Sequence, residues 1–280
     1  MESKIILGTA NFQKKYGLAK KKIKSINEIK KIAKFANKNN LFEFDNALSY
    51  SAENTLKYFP QKKIKVNTKI PALDFNKNIR ESIFLMIEKS LKKLKIKNFE
   101  SILLHQPSQL FERKGKEIIK SLEELKKYKL TKKIGYSVYS PVELKNLIKI
   151  HKPDLVQIPI SIADKRFKKN FLKKLKSLNI ELHGRSIFLQ GLLTTNEDKR
   201  PKYFPAWKKE LIKWDNYIKK KNLNPIKVCI DFVNSKKEID KFIVGFNSSQ
   251  QLKEITNNLK KKSTSNFINL KNLNANFLIP

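Results

Sequence analysis

Eight short runs rich in apolar and β-branched residues recur along the chain, and most are followed by a longer stretch with helical periodicity. The runs are KIILGTA (4–10), FEFDNA (42–47), KVNTKI (65–70), SILLHQ (101–106), KKIGYSV (132–138), DLVQIPI (154–160), IELHGRS (180–186) and KFIVGF (241–246). In SINEIKKIAKFANKNN, Ile26, Ile29, Ile32, Ala33 and Ala36 share one helical face. NIRESIFLMIEKSLKKLKI, KEIIKSLEELKKYK, SPVELKNLIKI, KNFLKKLKSLN and SSQQLKEITNNLKK continue the pattern, several with Ser or Asn at the N-cap. A strand that re-enters a sheet in the same direction needs a crossover, usually a helix. Eight strand–helix units, with mostly continuous apolar strands buried on both faces, therefore predict the α/β class: a single closed (β/α)8 TIM barrel forming one domain over residues 1–280.

A doubly wound open sheet is the competing fold. It more usually holds a dinucleotide on a Gly-rich first turn, but GTANFQKKYG lacks the G-x-G-x-x-G spacing and the chain has only 7 Gly. Residues 187–222 break the rhythm after strand 7 and contain Pro201, Pro205, Trp207 and Trp214. They predict a long loop plus an extra helix over the barrel mouth, with the two Trp serving as packing.

Composition bounds the rest. With 280 residues, 40% of them hydrophobic and 18 of them Phe, the chain is large and apolar enough for one substantial core. Cys229 is the single cysteine, which excludes an internal disulfide framework and a multi-Cys zinc site; in IKVCIDFV it reads as core. No segment approaches the roughly 18 apolar residues of a membrane span, and MESKIILGTANF does not resemble a signal peptide. A soluble, cytoplasmic protein is expected.

The 61 Lys+Arg against 25 Asp+Glu, a net +36, would suit a nucleic-acid or anionic-surface binder. The basic residues are spread along nearly every helix, however, and Gly-rich or aromatic–basic RNA signatures are missing. A base composition that favours Lys, Asn and Ile codons accounts for the excess. Nucleic acid is not an expected partner, although the field should concentrate phosphate-bearing small molecules.

In a barrel of this kind, chemistry sits at the carboxyl ends of the strands. Those positions hold Asp45 on strand 2, Lys69 on strand 3, His105 on strand 4, Ser137 on strand 5, Gln157 on strand 6, and Arg185 and Ser186 on strand 7. Burying a Lys, an Asp and a His in one small volume costs several kcal/mol unless they pair. Stability alone does not ask for it. Tyr50 follows Asp45 by five residues, in what reads as a helix start, and completes a proton-handling set. An isolated phenol, with a pKa of about 10, is a sluggish acid near neutrality. A neighbouring Lys69 ammonium, kept charged by Asp45, would make it more acidic, and His105 could hydrogen-bond the oxygen being protonated. His151 and His183 lack comparable partners in the sequence and read as structural.

These residues resemble the catalytic tetrad of the aldo-keto reductase family, and the likeness runs over nearly the whole chain. Its segments, in order, are LGTANFQKKYG, FDNALSYSAEN, NTKI, LLHQP, IGYSVYSPVEL, VQIPISIADKRF, GRSIFLQGLL and IVGFNSSQQL. The resemblance implies an NAD(P)H-dependent reductase of aldehydes or ketones, with Tyr50, Asp45, Lys69 and His105 as the catalytic group and no metal. It implies that Ser137 and Gln157 hold the nicotinamide carboxamide and that Gly8, Thr9 and Asp45 line its ribose. Ser186, Phe188 and Gly191, within SIFLQG, would follow the pyrophosphate. Gly245, Asn247, Ser248 and Gln251, within GFNSSQQL, would hold the adenosine phosphate, where helix-terminal amides suit anions.

Three positions depart from the family pattern. Val138 stands where many members have Asn, and Arg185 stands where an aromatic ring often stacks on the nicotinamide. A cation there would disfavour the oxidised, positively charged ring. Gln251 replaces an Arg that commonly clamps the 2′-phosphate, so NADPH is the expected cofactor with NADH as the alternative. The substrate is expected to be a small carbonyl compound, sugar-like or anionic, from Arg113, Lys114, Arg200, Lys202, Tyr203 and Phe204 in the neighbouring loops. The competing functions are a redox-sensing or regulatory protein on the same barrel, and a polyanion binder.

Overall fold

The computed structural model describes residues 4–13, 23, 25–200, 207–263 and 266–271. Eight parallel strands close into a barrel in sequence order. They are β1 (Ile5–Gly8), β2 (Glu43–Asp45), β3 (Lys65–Ile70), β4 (Phe99–Leu104), β5 (Thr131–Ser137), β6 (Leu155–Pro159), β7 (Glu181–Arg185) and β8 (Lys241–Val244). Closure is made by β1 against β8, with Ile5 opposite Phe242. Between strands run α1 (Ala10–Gln13), α2 (Ile26–Lys38), α3 (Glu53–Leu56), α4 (Ile79–Leu94), α5 (Gly115–Lys127), α6 (Pro141–Ile150), α7 (Lys169–Ser177), α8 (Lys208–Lys220) and α9 (Pro225–Asn234). After β8 comes α10 (Ser249–Lys260). Ser25, Asn78, Ser140, Asn224 and Ser248 accept first-turn amides at their helix starts, as their side chains predict.

In several strands the two faces differ, which corrects the expectation of apolar residues on both sides there, while β1 is apolar and buried on both. Successive side chains alternate. On the outer face Phe44, Val66, Ile102, Tyr136, Val156 and Leu182 join the helices in one apolar core. On the inner face Glu43, Asn67, Ser101 and Lys241 form a buried polar chain. Asn67 Nδ2 donates to Glu43 Oε1 at 3.0 Å, Ser101 Oγ to Asn67 Oδ1 at 2.6 Å, and Lys241 Nζ to Glu43 Oε2 at 2.7 Å. Across the barrel Lys133 and His183 both bond Glu181. Burial works to raise the Glu181 carboxyl, but those two partners outweigh it and hold it down at about 2. Mutual pairing is what lets such groups sit inside.

After β7 the chain makes 3-10 turns at Leu189–Gly191 and Glu197–Lys199 before α8, the extra helix expected from the sequence. Trp214 is buried and its Nε1 donates to Leu193 O at 3.0 Å, while Trp207 is 4% exposed, so both serve packing. Lys213 Nζ reaches Asn269 O at 2.7 Å and Tyr217 OH reaches Asn266 O at 2.6 Å, which ties α8 to the chain's last described segment. Pro201, Lys202, Tyr203, Phe204 and Pro205 lie outside the described residues. Cys229 is fully buried on α9, and burial pushes its thiol well above the ordinary range.

Candidate active site

Asp45 closes β2, and the β2–β3 register sets it opposite Asn67. Lys69, two residues beyond Asn67 and on the same face, thereby reaches the carboxylate. Its Nζ donates to Asp45 Oδ1 at 2.6 Å and Oδ2 at 2.7 Å, and to Asn46 O at 3.1 Å. Asp45 Oδ1 also accepts from Gln157 Nε2 at 2.6 Å, across from β6. Both ions are buried, Lys69 to 2% exposure and Asp45 to 6%. A dry ion pair is tolerable only when its remaining donors and acceptors are met, and here they are. Burial draws the Lys69 amine below its usual value; Asp45 opposes that, and the positive charge of Arg185 adds to it.

Tyr50 is placed by a single 3-10 turn, Leu48–Tyr50, rather than by the start of an α-helix. Its amide donates to Ala47 O at 2.8 Å, Ser51 turns into the left-handed region with φ 57°, and α3 begins only at Glu53. The Lys69 ammonium lies 5.9 Å from the centre of the Tyr50 ring. Tyr50 and His105 meet edge to face, with centroids 6.3 Å apart and planes at 81°. His105 follows β4 directly, and its amide donates to Ile70 O at 2.9 Å, which fixes it beside the end of β3. Burial first, then the Lys69 charge, pull the imidazole down to about 4, with Asp45 opposing and Arg185 adding. His105 is therefore neutral near pH 7, a hydrogen-bonding group rather than a cation.

Asp45, Lys69 and His105 from the strand ends and Tyr50 from its 3-10 turn thus come together. Asn46, which the sequence reading missed, joins their supports. It is fully buried. Its Oδ1 accepts from Thr9 Oγ1 at 2.8 Å, its amide donates to Asn67 O at 2.7 Å, and its Nδ2 donates to Glu53 Oε1 at 3.4 Å. Glu53 in turn accepts from Ser90 Oγ at 3.2 Å. The available signal was the polar residue directly after Asp45, in a strand that should otherwise have ended. His151 and His183 do have partners: His151 with Tyr136 OH at 2.8 Å and Glu123 at 2.9 Å, His183 with Glu181 at 2.8 Å. Glu181 opens β7 and Arg185 closes it, so the His183 pair belongs to the other end of the barrel.

The expected cofactor-binding residues divide by what they already hold. Gly8 ends β1 opposite Asp45, and a Cβ there would meet Val244 O at 3.2 Å. The Thr9 hydroxyl is spent on Asp45 O at 3.1 Å and on Asn46, so it positions β2. Ser137 is buried opposite Gln157 in the β5–β6 register. Gln157 Oε1 is a buried acceptor without a partner, which suits an amide donor such as a carboxamide. Arg185 lies over Tyr139, its guanidinium carbon 4.1 Å from the ring centre, with Nη2 donating to Val138 O at 3.0 Å. The two departures at Val138 and Arg185 are thus in contact with each other. Arg185 Nε is buried and unpartnered.

Ser186, Leu189 and Gln190 have φ of 60°, 46° and 55°, followed by Gly191 at 95°. Left-handed backbone at non-Gly residues costs on the order of 1 kcal/mol each, so strain gathers in the loop where SIFLQG was expected to meet a pyrophosphate. Phe188, half-buried between them, packs against the apolar core. Gly245 is exposed, and a Cβ on it would touch nothing within 4 Å.

The loop residues suggested for substrate charge are partly committed elsewhere. Arg200 grips Asp215 with Nη1 at 2.5 Å and Nη2 at 2.7 Å and donates to Leu192 O from Nε at 3.1 Å. Lys114 donates to Lys77 O at 3.0 Å, and Arg113 is exposed. Among the described residues no group of three or more His, Cys, Asp or Glu could hold a metal, and no helix is long and apolar enough to cross a membrane.

The model of the Aldo/keto reductase family matches residues 4–273. The holo form of an aldo-keto reductase from Bacillus halodurans superposes with a TM-score of 0.74 at 15% identity, covering 94% of this chain and 88% of that one. A glycerol dehydrogenase from Gluconobacter oxydans gives 0.72 at 16% identity, covering 94% and 88%. At such identities the likeness to these two is one of fold. No curated protein matches the sequence.

Proposed function

The chain belongs to the aldo/keto reductase family, and from that membership and the cluster at the strand ends we propose that it reduces aldehydes or ketones to alcohols with Tyr50 as general acid. It is an NAD(P)-dependent oxidoreductase acting on small carbonyl compounds. The observation that carries the residue assignment is the approach of Lys69 and His105 to Tyr50 from two neighbouring strands.

The unfilled acceptor on Gln157 and the strained Ser186–Gly191 loop fit a nicotinamide dinucleotide. Such a cofactor, when bound, supplies a hydride to the carbonyl carbon. Gln157 and Ser137 would orient its carboxamide, and Arg185 would lie beside the ring. Tyr50 gives its proton to the carbonyl oxygen. The Lys69 ammonium stabilises the negative charge that grows on the phenol oxygen as the proton leaves, and Asp45 fixes that ammonium in place. Neutral His105 hydrogen-bonds the same carbonyl oxygen and sets its position. Arg185, whose charge reaches both Lys69 and His105, supports a substrate with an anionic or hydroxyl-rich end.

The test is steady-state oxidation of reduced nicotinamide by the wild-type chain across a panel of aldehydes, ketones and sugars. Turnover on at least one member is expected. A single oxidation of bound cofactor without further turnover would describe a redox sensor instead, and would contradict the proposal.

A further inference from the structure

The choice between the two dinucleotides lies at the adenosine end. In barrels of this kind phosphates commonly sit at the loops after strands 7 and 8 and at a helix N-terminus. Here that place is Gly245–Ser248 and the first turn of α10. Such a site binds an anion through amides that lack a partner inside the helix. At α10 the chain's own acceptors already hold several of them. Ser249 N donates to Glu28 Oε1 at 2.5 Å, Gln251 N to Ser248 Oγ at 3.2 Å, and Asn247 N to Gln251 Oε1 at 2.7 Å. The side-chain oxygen of Asn247 accepts from Asn11 Nδ2.

The Glu28 contact is the unexpected one. Ser25 and Glu28 have the S-x-x-E spacing of a capping box, in which the Glu turns back to its own N-cap amide. Half of the box forms, with Glu28 N donating to Ser25 Oγ at 3.2 Å. The carboxylate, though, crosses 221 positions to Ser249. The hydrogen bonds from Ser249, assisted by the Lys31 charge, hold the Glu28 carboxyl below its usual value, so it is ionised at neutral pH. The first turn of α10, Ser249 to Leu252, contains no Lys or Arg; Lys253 comes next. Among the described residues of this turn, a 2′-phosphate would meet a carboxylate where it needs a cation, and the charge of Lys31 already acts on that carboxylate. This donor set suits a 2′-hydroxyl better than a 2′-phosphate.

We propose that Glu28 selects the dinucleotide, excluding the 2′-phosphate of NADPH and accepting a hydrogen bond from the 2′-hydroxyl of NADH. This deepens the oxidoreductase reading above and rests on it. An acidic side chain on the ribose 2′-hydroxyl makes the same choice in dinucleotide sites of a different fold. The net +36 charge pulls the other way, towards the more anionic NADPH. That field is screened over about 8–10 Å, whereas Glu28 acts at contact.

The experiment is calorimetric titration of the full chain with NADH and with NADPH, for the wild type and for Glu28→Gln. The substitution keeps an acceptor for Ser249 N and removes only the charge. The wild type should bind NADH about tenfold more tightly or better. Glu28→Gln should tighten NADPH by about tenfold and change NADH by less than about threefold. Equal or tighter NADPH binding by the wild type, or an unchanged ratio in the variant, overturns the proposal. If the variant does not fold, the wild-type ratio decides alone. Binding of neither dinucleotide would overturn the oxidoreductase reading itself, and this inference with it, which is a different result from a wrong ratio.

Discussion

At the scale of single residues, the site runs on one cation and its neighbours. His105 shows this most directly, because its proton is displaced by burial and by Lys69. Its folded value, about 4, lies below the ordinary 6.5. As pH falls, the unfolded chain therefore takes up this proton before the folded one does. The stability it contributes is whole above about pH 6.5 and is lost as pH drops towards 4. In an NMR titration the His105 ring signals should stay constant from pH 8 down to about 5 and move near pH 4. A midpoint close to 6.5 would contradict the electrostatics described here. In Lys69→Met the midpoint should rise, because one cause of the depression is gone. Asp45, Lys69 and His105 were legible in the sequence because each lies at or beside the carboxyl end of a strand, and position alone brings them together. Asn46 and Glu28 were not. Asn46 bonds Thr9 from 37 positions away and Glu28 bonds Ser249 from 221, and a local pattern such as S-x-x-E points to the wrong partner.

At the scale of elements, the strand and helix order was legible and the chemistry of the strand faces was not. Runs such as KVNTKI looked apolar enough for burial on both sides, and β3 occupies those same residues. Inside the barrel, Asn67 and Lys69 face acids rather than hydrocarbon. Hydrophobic counting misses this, because a pairing between strands depends on register and leaves no mark in either strand alone. Tyr50 was misread for a related reason: a one-turn 3-10 segment is too short to show a period. Register also sets what a glycine can tolerate. A Cβ on Gly135 of β5 would stand 2.0 Å from Leu155 O of β6, whereas one on Gly245 touches nothing within 4 Å. Gly135→Ala should therefore lower the melting temperature sharply or prevent folding, since backbone must move to relieve the clash. Gly245→Ala should melt within a few degrees of wild type. Thermal melts followed by circular dichroism decide both. Equal stability of the two variants would show that the β5–β6 register is wrong.

At the scale of the whole molecule, a closed eight-stranded barrel carries a net charge of +36. Part of that charge is balanced by local pairs such as Lys176 with Asp240 at 2.7 Å, Lys126 with Asp154 at 2.7 Å and Lys132 with Glu100 at 2.8 Å. Surface pairs of this type add little stability. They do show basic residues paired singly at separate places around the barrel. The barrel gathers its strand ends at one mouth, where Tyr50 is the proposed proton donor. The most direct measurement compares wild type with Tyr50→Phe, using reduced nicotinamide and a carbonyl compound that the wild type turns over. Loss of the phenol proton should lower kcat by about a hundredfold to ten-thousandfold, while the dissociation constant of the reduced cofactor stays within a few-fold. A Tyr50→Phe variant that turns over at the wild-type rate would contradict the assignment of Tyr50 as proton donor.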